Sequence, residues 1–177
     1  MISKDSYRIL VVSDTHGSSS LLRKCIALEE PFDMLIHCGD VEDDFETAIG
    51  PHDYEAFAVK GNCDHFFPLP DFYVRKVGFY TIAAVHGHRQ QAGYTYAGLA
   101  YFAREHFADV VLYGHTHVPD IFRDEEKGIL YVNPGSLSRP RQADRNRTYV
   151  ILTISDDALP QAELKILEDS AKSMKKP

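Results

Sequence analysis

The residues best suited to chemistry are carboxylates, imidazoles and one amide that stand beside glycines in five short motifs. These motifs are Asp14-x-His16, Gly39-Asp40, Gly61-Asn62, His86-Gly-His88 and Gly114-His115-x-His117. None of them requires a thiolate, so the set suits Mn²⁺, Fe²⁺ or Zn²⁺ better than a cysteine-rich structural zinc site does. The seven or eight candidate ligands are too many for one ion and fit two, with one carboxylate bridging them.

Each motif taken alone also has an ordinary structural interpretation. Asp-x-His after a strand is often turn chemistry, and Gly-Asp and Gly-Asn are common turn dipeptides. The imidazoles of His115 and His117 are more informative, because side chains two residues apart point to one side of an extended segment. The five motifs together, each at the end of a strand, predict a dimetal site.

The motifs follow apolar runs that are typical of buried strands. These runs cover residues 8–13, 34–38, 55–60, 79–85 and 110–113. In open α/β sheets, ligands bind outside the carboxyl ends of the strands, so the five loops are expected at one edge. Glycine lets the backbone turn sharply there and approach a bound group closely.

The remaining pattern supplies helices, hairpins and closing strands. Ser18 to Ser20 are expected to cap a helix that runs to about Glu30, stops at Pro31 and buries one apolar face; that face comprises Leu21, Leu22, Cys25, Ile26 and Leu28. Further helices are predicted at 43–49 and 96–107, hairpins at 72–85 and 121–132, and closing strands at 149–154 and 163–167. The order of strands and helices in the first third predicts an α/β class. We expect one domain over residues 1–177, with a frayed tail at about 171–177.

Composition excludes several classes of function. The chain has 177 residues, 19 Lys plus Arg against 26 Asp plus Glu, and a net charge of −7, which argues against long nucleic acid as a partner. Three cysteines, no apolar run of membrane-spanning length and no signal core predict a cytoplasmic protein without a membrane partner. A homo-oligomer stays open, formed through an edge strand or through the aromatic loop at Phe66.

The five motifs, together with Asn133-Pro-Gly-Ser136, resemble the ordered motifs of the calcineurin-like metallophosphoesterase superfamily. The chain is most similar to the small single-domain bacterial and archaeal phosphodiesterases, over about residues 8–141. The resemblance implies a four-layer αββα sandwich of two mixed β-sheets flanked by helices, with a dimetal site at one end. It also implies a phosphoesterase, with diesters favoured over monoesters as small substrates and with two divalent ions. Mn²⁺ is expected, and Ni²⁺, Zn²⁺ and Fe²⁺ are alternatives.

The resemblance also assigns the metal ligands, which are Asp14, His16, Asp40, Asn62, His86, His115 and His117. One ion would take Asp14, His16, Asp40 and His117. The other would take Asp40, Asn62, His86 and His115, with Asp40 bridging both. A water between two dications becomes hydroxide near neutral pH, and we expect it to attack phosphorus directly, without a covalent phospho-enzyme.

Three residues are candidate catalytic groups: Asn62, Cys63 and His88. The Asn62 amide can donate a hydrogen bond to a substrate oxygen. Larger members of the family commonly have a histidine where this chain has Cys63. Because a thiol with a pKa of about 8.5 is a poorer proton donor, we expect esters with acidic leaving groups, such as aryl diesters, to be favoured. His88 either contacts the substrate or braces its loop.

Several other residues carry weaker expectations. Residues 133–136 could offer backbone N–H groups near the metals. Tyr94 and Tyr96 could wall the site, and Phe66 with Phe67 could anchor a packed loop. Two arginines, Arg139 and Arg141, could reach a phosphate or remain solvated.

Two other classes of function stay open. The first is a non-catalytic protein-binding scaffold, because the family includes a subunit of the eukaryotic retromer coat with an impaired site. All seven ligand positions are metal-competent in this chain, which argues against that alternative. The second is a nuclease, for which the acidic net charge leaves only short or cyclic nucleotides.

Overall fold

The structure is a computed structural model that describes residues 6–168. Its strands are β1 (Ser6–Val12), β2 (Met34–His37), β3 (Glu55–Ala58), β4 (Phe72–Val77), β5 (Tyr80–Val85), β6 (Val110–Leu112), β7 (Asp120–Asp124), β8 (Ile129–Asn133), β9 (Thr148–Ser155) and β10 (Ala158–Ile166). Its helices are α1 (Ser19–Glu29), α2 (Phe45–Ile49) and α3 (Ala97–Glu105). The tail predicted to fray at 171–177 lies outside the described residues.

The strands form two mixed five-stranded sheets. The first has the order β10-β9-β1-β2-β3, and the second has the order β4-β5-β6-β8-β7. Strands β1, β2 and β3 run parallel, as do β5, β6 and β8. Antiparallel pairings complete the first sheet on one side, through β9 and β10, and the second sheet on both sides, through β4 and β7. Each sheet therefore has a set of parallel carboxyl ends at which loops can build a site.

Side-chain alternation along the strands separates the interior into layers. On β1, Ile9 and Val11 face the second sheet, whereas Leu10 and Val12 face α1 and α2. Helix α3 covers the other side of the second sheet, through Leu99 and Phe102. The result is the four-layer αββα sandwich of two mixed sheets that the sequence predicted.

Helix α1 departs from the sequence prediction at both ends. Ser18 occupies the N-cap position but makes no side-chain capping bond, and Ser19 donates its hydroxyl proton to Asp43 at 2.6 Å instead. Leu28, predicted to lie on the buried face, is 59% exposed, while Glu29 is buried. The last turn of α1 therefore buries the Glu29 carboxylate and leaves exposed the Leu28 side chain that the apolar pattern predicted to be buried.

Glu29 is buried because basic and phenolic groups surround its carboxylate. It pairs with Arg8 on β1, accepts a hydrogen bond from the Tyr149 hydroxyl on β9 at 2.6 Å, and lies 3.4 Å from the Lys165 ammonium on β10. One side chain thus fastens α1 to three strands of the first sheet.

The loop after β3 also differs from the prediction. Phe66 was expected to anchor a packed loop, but its ring is 92% exposed. This expectation was wrong, because the backbone turns at residues 63–65 and 67–69 hold the loop without a buried ring at that position.

No helix among residues 6–168 combines the length and the apolar composition that crossing a bilayer requires.

We expect Glu29→Ala to lower the free energy of unfolding by about 2 kcal/mol, because it leaves the buried Tyr149 hydroxyl and the partly exposed Arg8 and Lys165 without their acceptor. Urea denaturation followed by circular dichroism measures the change. The matched control is Glu30→Ala, which removes an exposed carboxylate from the neighbouring position. Equal losses in the two variants would contradict this account of Glu29.

Candidate dimetal site

The loops that carry the five motifs meet at one end of the two sheets. Within the first sheet, the Asp14 N–H donates to the Gly39 carbonyl at 3.0 Å. Between the sheets, the His115 N–H donates to the Asp14 carboxylate at 3.1 Å, and His86 Nδ1 donates to the Cys38 carbonyl at 2.7 Å. The side chains that were far apart in sequence therefore share one small volume.

Four side chains form a first group at this end, and their ligand atoms all lie within 4.8 Å of one another. They are Asp14, His16, Asp40 and His117. The Nε2 atoms of His16 and His117 are 3.2 Å apart, and Asp14 Oδ1 lies 3.2 Å from His117 Nε2. This group matches the set expected for the first ion.

A second group lies on the other side of Asp40. His86 Nε2 is 3.5 Å from Asp40 Oδ2 and 3.2 Å from Asn62 Oδ1. The ring of His115 lies with its centroid 5.2 Å from that of His86. Because Asp40 Oδ2 is also 4.0 Å from His16 Nε2, this carboxylate stands between the two groups.

Backbone carbonyls fix the orientation of two imidazoles through the ring nitrogen that faces away from the cluster. His86 Nδ1 lies 2.7 Å from the Cys38 oxygen, and His117 Nδ1 lies 2.6 Å from the Arg139 oxygen. A carbonyl can only accept, so in the neutral rings each Nδ1 carries the proton and each Nε2 presents a lone pair to the cluster.

His16 is oriented in the same way but by a carboxylate. Its Nδ1 contacts Glu42, whose backbone N–H is in turn held by Asp64 at 2.7 Å. A carboxylate behind a metal-facing imidazole fixes its tautomer and makes it a stronger ligand. The sequence analysis did not assign a role to Glu42. The signal in the sequence was a carboxylate two residues after Gly39-Asp40.

The cluster is therefore made of hydrogen-bond acceptors that face one another. Asp14 Oδ1 is buried and has no hydrogen-bond partner among the described residues, although it lies beside two imidazole lone pairs. Burial raises the pKa of Asp40, but contacts with His86 and the Cys63 N–H outweigh it, and the pKa falls below its usual range. Buried anionic and lone-pair groups in this arrangement fit bound cations.

The backbone around the site adopts left-handed conformations, which are strained for residues other than glycine. Five residues of the two groups have positive φ, between 44° and 70°; they are Asp14, His16, Asp40, His115 and His117. Such conformations cost L-residues about 1–2 kcal/mol each and persist only where the surroundings impose them. Gly61 also permits a close approach, because a Cβ there would stand 2.1 Å from the Asp40 carboxylate.

Asp64 imposes much of this geometry. Its fully buried carboxylate accepts the backbone N–H groups of Asp40 at 2.8 Å, Glu42 at 2.7 Å and Gly61 at 2.8 Å. The residue joins the loop after β2 to the loop after β3. The Gly61-Asn-Cys-Asp64 motif contained it, but sequence reasoning gave it no role.

Residues 133–136 do not face the metals as expected. The Gly135 N–H donates to Asn133 Oδ1 at 2.9 Å, and the Ser136 hydroxyl donates to the Asp14 carbonyl at 2.7 Å. The Asn133 amide holds the Gly114 carbonyl at 3.0 Å. The segment therefore braces the loops of Asp14 and Gly114, and the Gly135 N–H is used within the segment.

Beside the second group, a cleft of about 600 Å³ opens to solvent. Its lining includes His88, Tyr94, Tyr113, His115, Asp120 and Arg141. His88 has its ring centroid 5.4 Å from that of His86, so it stands between the cluster and the cleft. Tyr94 lines the cleft as expected, whereas the hydroxyl of Tyr96 is turned to Asp120. A larger cavity of about 730 Å³, lined by residues such as Tyr101 and Ile129, includes none of the motif residues.

His37 supports the site from within the first sheet. Its Nδ1 accepts the Gly39 N–H at 3.1 Å, so its proton lies on Nε2, which is 3.0 Å from the Thr15 hydroxyl. Burial lowers the pKa of His37 to about 4, against the opposing charges of Asp14 and Asp64. The ring is therefore neutral at neutral pH.

Comparison with known proteins agrees with the fold and the site. Residues 7–157 match the model of the calcineurin-like phosphoesterase superfamily domain, and the chain belongs to this family. The family is one of metal-dependent phosphoesterases, and the cluster of acidic and imidazole groups is able to hold a divalent metal ion.

Individual relatives are consistent with that membership. The chain is 35% identical over 152 residues to the probable metallophosphoesterase YsnB of Bacillus subtilis, covering 85% of this chain and 86% of the relative. A predicted phosphoesterase from Streptococcus pneumoniae superposes with a TM-score of 0.76 at 28% identity, covering 92% and 99% of the two chains. Vacuolar Protein Sorting 29 from Cryptosporidium parvum shares the fold, with a TM-score of 0.67 at 16% identity and coverage of 94% and 100%.

We expect Glu42→Gln to weaken metal binding about tenfold or more, because His16 loses the carboxylate that orients it. Calorimetric titration of chelator-treated protein with Mn²⁺ measures the affinity and the number of ions bound. Glu46→Gln, the same change at an exposed position, is the control. Unchanged affinity in Glu42→Gln would show that His16 does not depend on this carboxylate.

A second expectation concerns pH. An unfolded histidine titrates near pH 6.5 and folded His37 near pH 4, so the unfolded chain takes up the proton first as pH falls. Stability is therefore lost between these two values, by roughly 3 kcal/mol. Urea denaturation of metal-free protein across this interval measures the slope, and His37→Gln should flatten it. Equal slopes in both proteins would rule out His37 as the titrating group.

Proposed function

We propose that this protein is a dimetal phosphodiesterase that hydrolyses small phosphate diesters. The observation that carries the proposal is the cluster in which buried carboxylate and imidazole groups face one another around Asp40, with Asp14 Oδ1 lacking a hydrogen-bond partner among the described residues. When bound, two divalent ions acidify a water molecule and neutralise the phosphate, which is the arrangement used for in-line displacement at phosphorus.

The proposed ligands divide into the two groups described above. One ion takes Asp14, His16, Asp40 and His117, and the other takes Asp40, Asn62, His86 and His115. Carboxylate, imidazole and amide ligands without a thiolate suit Mn²⁺, which is the metal we propose. Asp40 serves both ions because an anion is needed to offset two dications at a shared position.

Asn62 and His88 are proposed to act on the substrate. The Asn62 amide oxygen points towards His86, and its Nδ2 contacts only a weak acceptor, the Cys63 sulfur, at 3.3 Å. That donor can therefore turn to a phosphate oxygen. His88 lies where the cluster opens into the cleft, which places it beside an ester group rather than beside the ions.

Cys63 is proposed to give the leaving group little help. Burial, together with the hydrogen bond to Asp40, raises the pKa of its thiol to about 12. Before ions bind, the thiol therefore stays protonated at neutral pH and is a poor acid. Esters whose leaving groups need no protonation, such as aryl diesters, should react fastest.

The preference for diesters is supported by the cleft. A monoester needs room for one organic group, whereas a diester needs room on two sides of the phosphorus. The cleft of about 600 Å³ reaches His115 of the second group and gives the additional space.

A scaffold function is the alternative, because the same fold occurs in a vacuolar protein sorting protein. The fold alone therefore does not decide whether this chain is an enzyme. What favours catalysis is that every proposed ligand position in this chain has kept a residue able to bind a metal ion. We further propose a cytoplasmic location, where free cysteines such as Cys25, Cys38 and Cys63 remain reduced.

The direct test is hydrolysis of bis-p-nitrophenyl phosphate and p-nitrophenyl phosphate by metal-stripped protein to which Mn²⁺, Ni²⁺, Zn²⁺ or Mg²⁺ is returned. We expect metal-dependent turnover, fastest with Mn²⁺ and with the diester. Asp40→Asn should reduce kcat/KM by about 100-fold or more, because the shared anion is lost. Cys63→Ala should change the rate on the diester by no more than about threefold.

Three results of this experiment would change the proposal. No turnover with any metal, in folded protein that still binds two ions, would favour the scaffold alternative. Loss of nearly all diester activity in Cys63→Ala would show that the thiol takes part in the reaction. Faster hydrolysis of the monoester would reverse the proposed preference.

A further inference from the structure

The cleft beside the second group has a chemical character of its own. It extends from His88 and His115, at the edge of the cluster, to Tyr94 and Val118 at its outer part. An ester group attached to a phosphate at the cluster would enter it directly, since one wall of the cleft is formed by a proposed metal ligand.

The one carboxylate in the lining of the cleft already has its donors. Asp120 accepts hydrogen bonds from the hydroxyls of Tyr113, at 2.6 Å, and of Tyr96. Arg141 also lines the cleft, and its guanidinium has no ion pair among residues 6–168, while its backbone N–H donates to the His117 carbonyl at 3.0 Å. The cleft therefore holds a carboxylate that is engaged by two phenol hydroxyls and a guanidinium that has no ion pair within the described residues and belongs to a residue whose backbone is fixed to the His117 loop.

Tyr94 gives the cleft an aromatic wall. Its side chain is 92% exposed, which is unusual for a large aromatic residue. The loop that presents it has internal backbone bonds, from Tyr94 N–H to the Gln91 carbonyl at 2.9 Å and from Ala92 N–H to the Gly87 carbonyl at 3.1 Å. The exposed ring thus stands on an ordered turn, seven residues beyond Gly87, the glycine that follows His86.

We propose that the cleft is a subsite for a planar aromatic ester group, which stacks on Tyr94, while Arg141 attracts the phosphate. The substrate class is then aryl or nucleoside phosphodiesters. This inference rests on the proposed function for its phosphate-binding end. Stacking of one aromatic ring on a tyrosine changes affinity by about tenfold or more, which is large enough to measure.

The test compares ligands that carry one organic group, so that only that group can occupy the cleft. Methylphosphonate and phenylphosphonate differ by the ring and resist hydrolysis, and thymidine 5′-phosphate adds a nucleoside. Calorimetry with Mn²⁺-loaded protein should show the two aromatic ligands binding about tenfold more tightly than methylphosphonate. Tyr94→Ala should abolish the difference, and Tyr94→Phe should keep it.

Two further variants separate the parts of the proposal. Tyr101→Ala removes an exposed tyrosine from α3, outside the cleft, and should leave all three affinities unchanged. Arg141→Gln should weaken the binding of the three ligands equally, because it acts on the shared phosphoryl group.

In hydrolysis of bis-p-nitrophenyl phosphate, Tyr94→Ala should raise KM about tenfold and change kcat less than about twofold.

The outcomes distinguish this inference from the function on which it rests. Equal binding of methyl and phenyl ligands by the wild-type protein, with turnover intact, overturns the aromatic subsite and leaves the phosphodiesterase. Tighter binding of the aromatic ligands without turnover of any ester supports the subsite and overturns the enzyme. A preference for phenyl over thymidine would identify aryl esters as the substrate class, and the reverse would identify nucleoside esters.

Discussion

Buried acceptors that face one another are the constraint on which the rest of this structure depends. Asp14 and Asp40 are almost fully removed from solvent, and the lone pairs of neighbouring imidazoles point at them. Without cations such groups repel, so the protein must hold them in place by contacts made elsewhere. The hydrogen bonds behind the cluster, from three backbone N–H groups to the Asp64 carboxylate and from the Ser136 hydroxyl to the Asp14 carbonyl, provide that restraint.

The constraint also explains why the site belongs to both sheets. Four of the site residues follow strands of the first sheet, namely Asp14, His16, Asp40 and Asn62, whereas His86, His115 and His117 follow strands of the second. The apolar layer between the sheets, to which Ile9 and Ile82 belong, sets the distance between these two halves. Because a close-packed interior deforms little, it keeps acceptors near one another that would separate if the sheets could slide.

The three oriented imidazoles are not equivalent. His86 and His117 are held by neutral carbonyls, whereas His16 is held by the carboxylate of Glu42. A negative charge behind the ring makes its lone pair a stronger donor to a cation. The group that contains His16 and the group that contains His86 thus present different electrostatic environments, and Asp40 connects them.

The sequence by itself determined the strand ends and the residue types that follow them. Apolar runs bounded by Gly-Asp, Gly-Asn and Gly-His motifs predicted parallel strands with polar loops, and the structure has strands β1, β2, β3, β5 and β6 at these places. This succeeds because strand burial and turn chemistry are local properties, readable from side-chain type and spacing.

The groups that orient the site residues, and the cleft next to the site, depend on tertiary packing. Glu42, Asp64 and His37 act through partners distant in sequence, which local residue patterns do not identify. The burial of Glu29 in place of Leu28 has the same origin, since its partners lie on three other elements. A hydrogen bond between remote segments depends on how the sheets pack, and that packing is set by the whole chain.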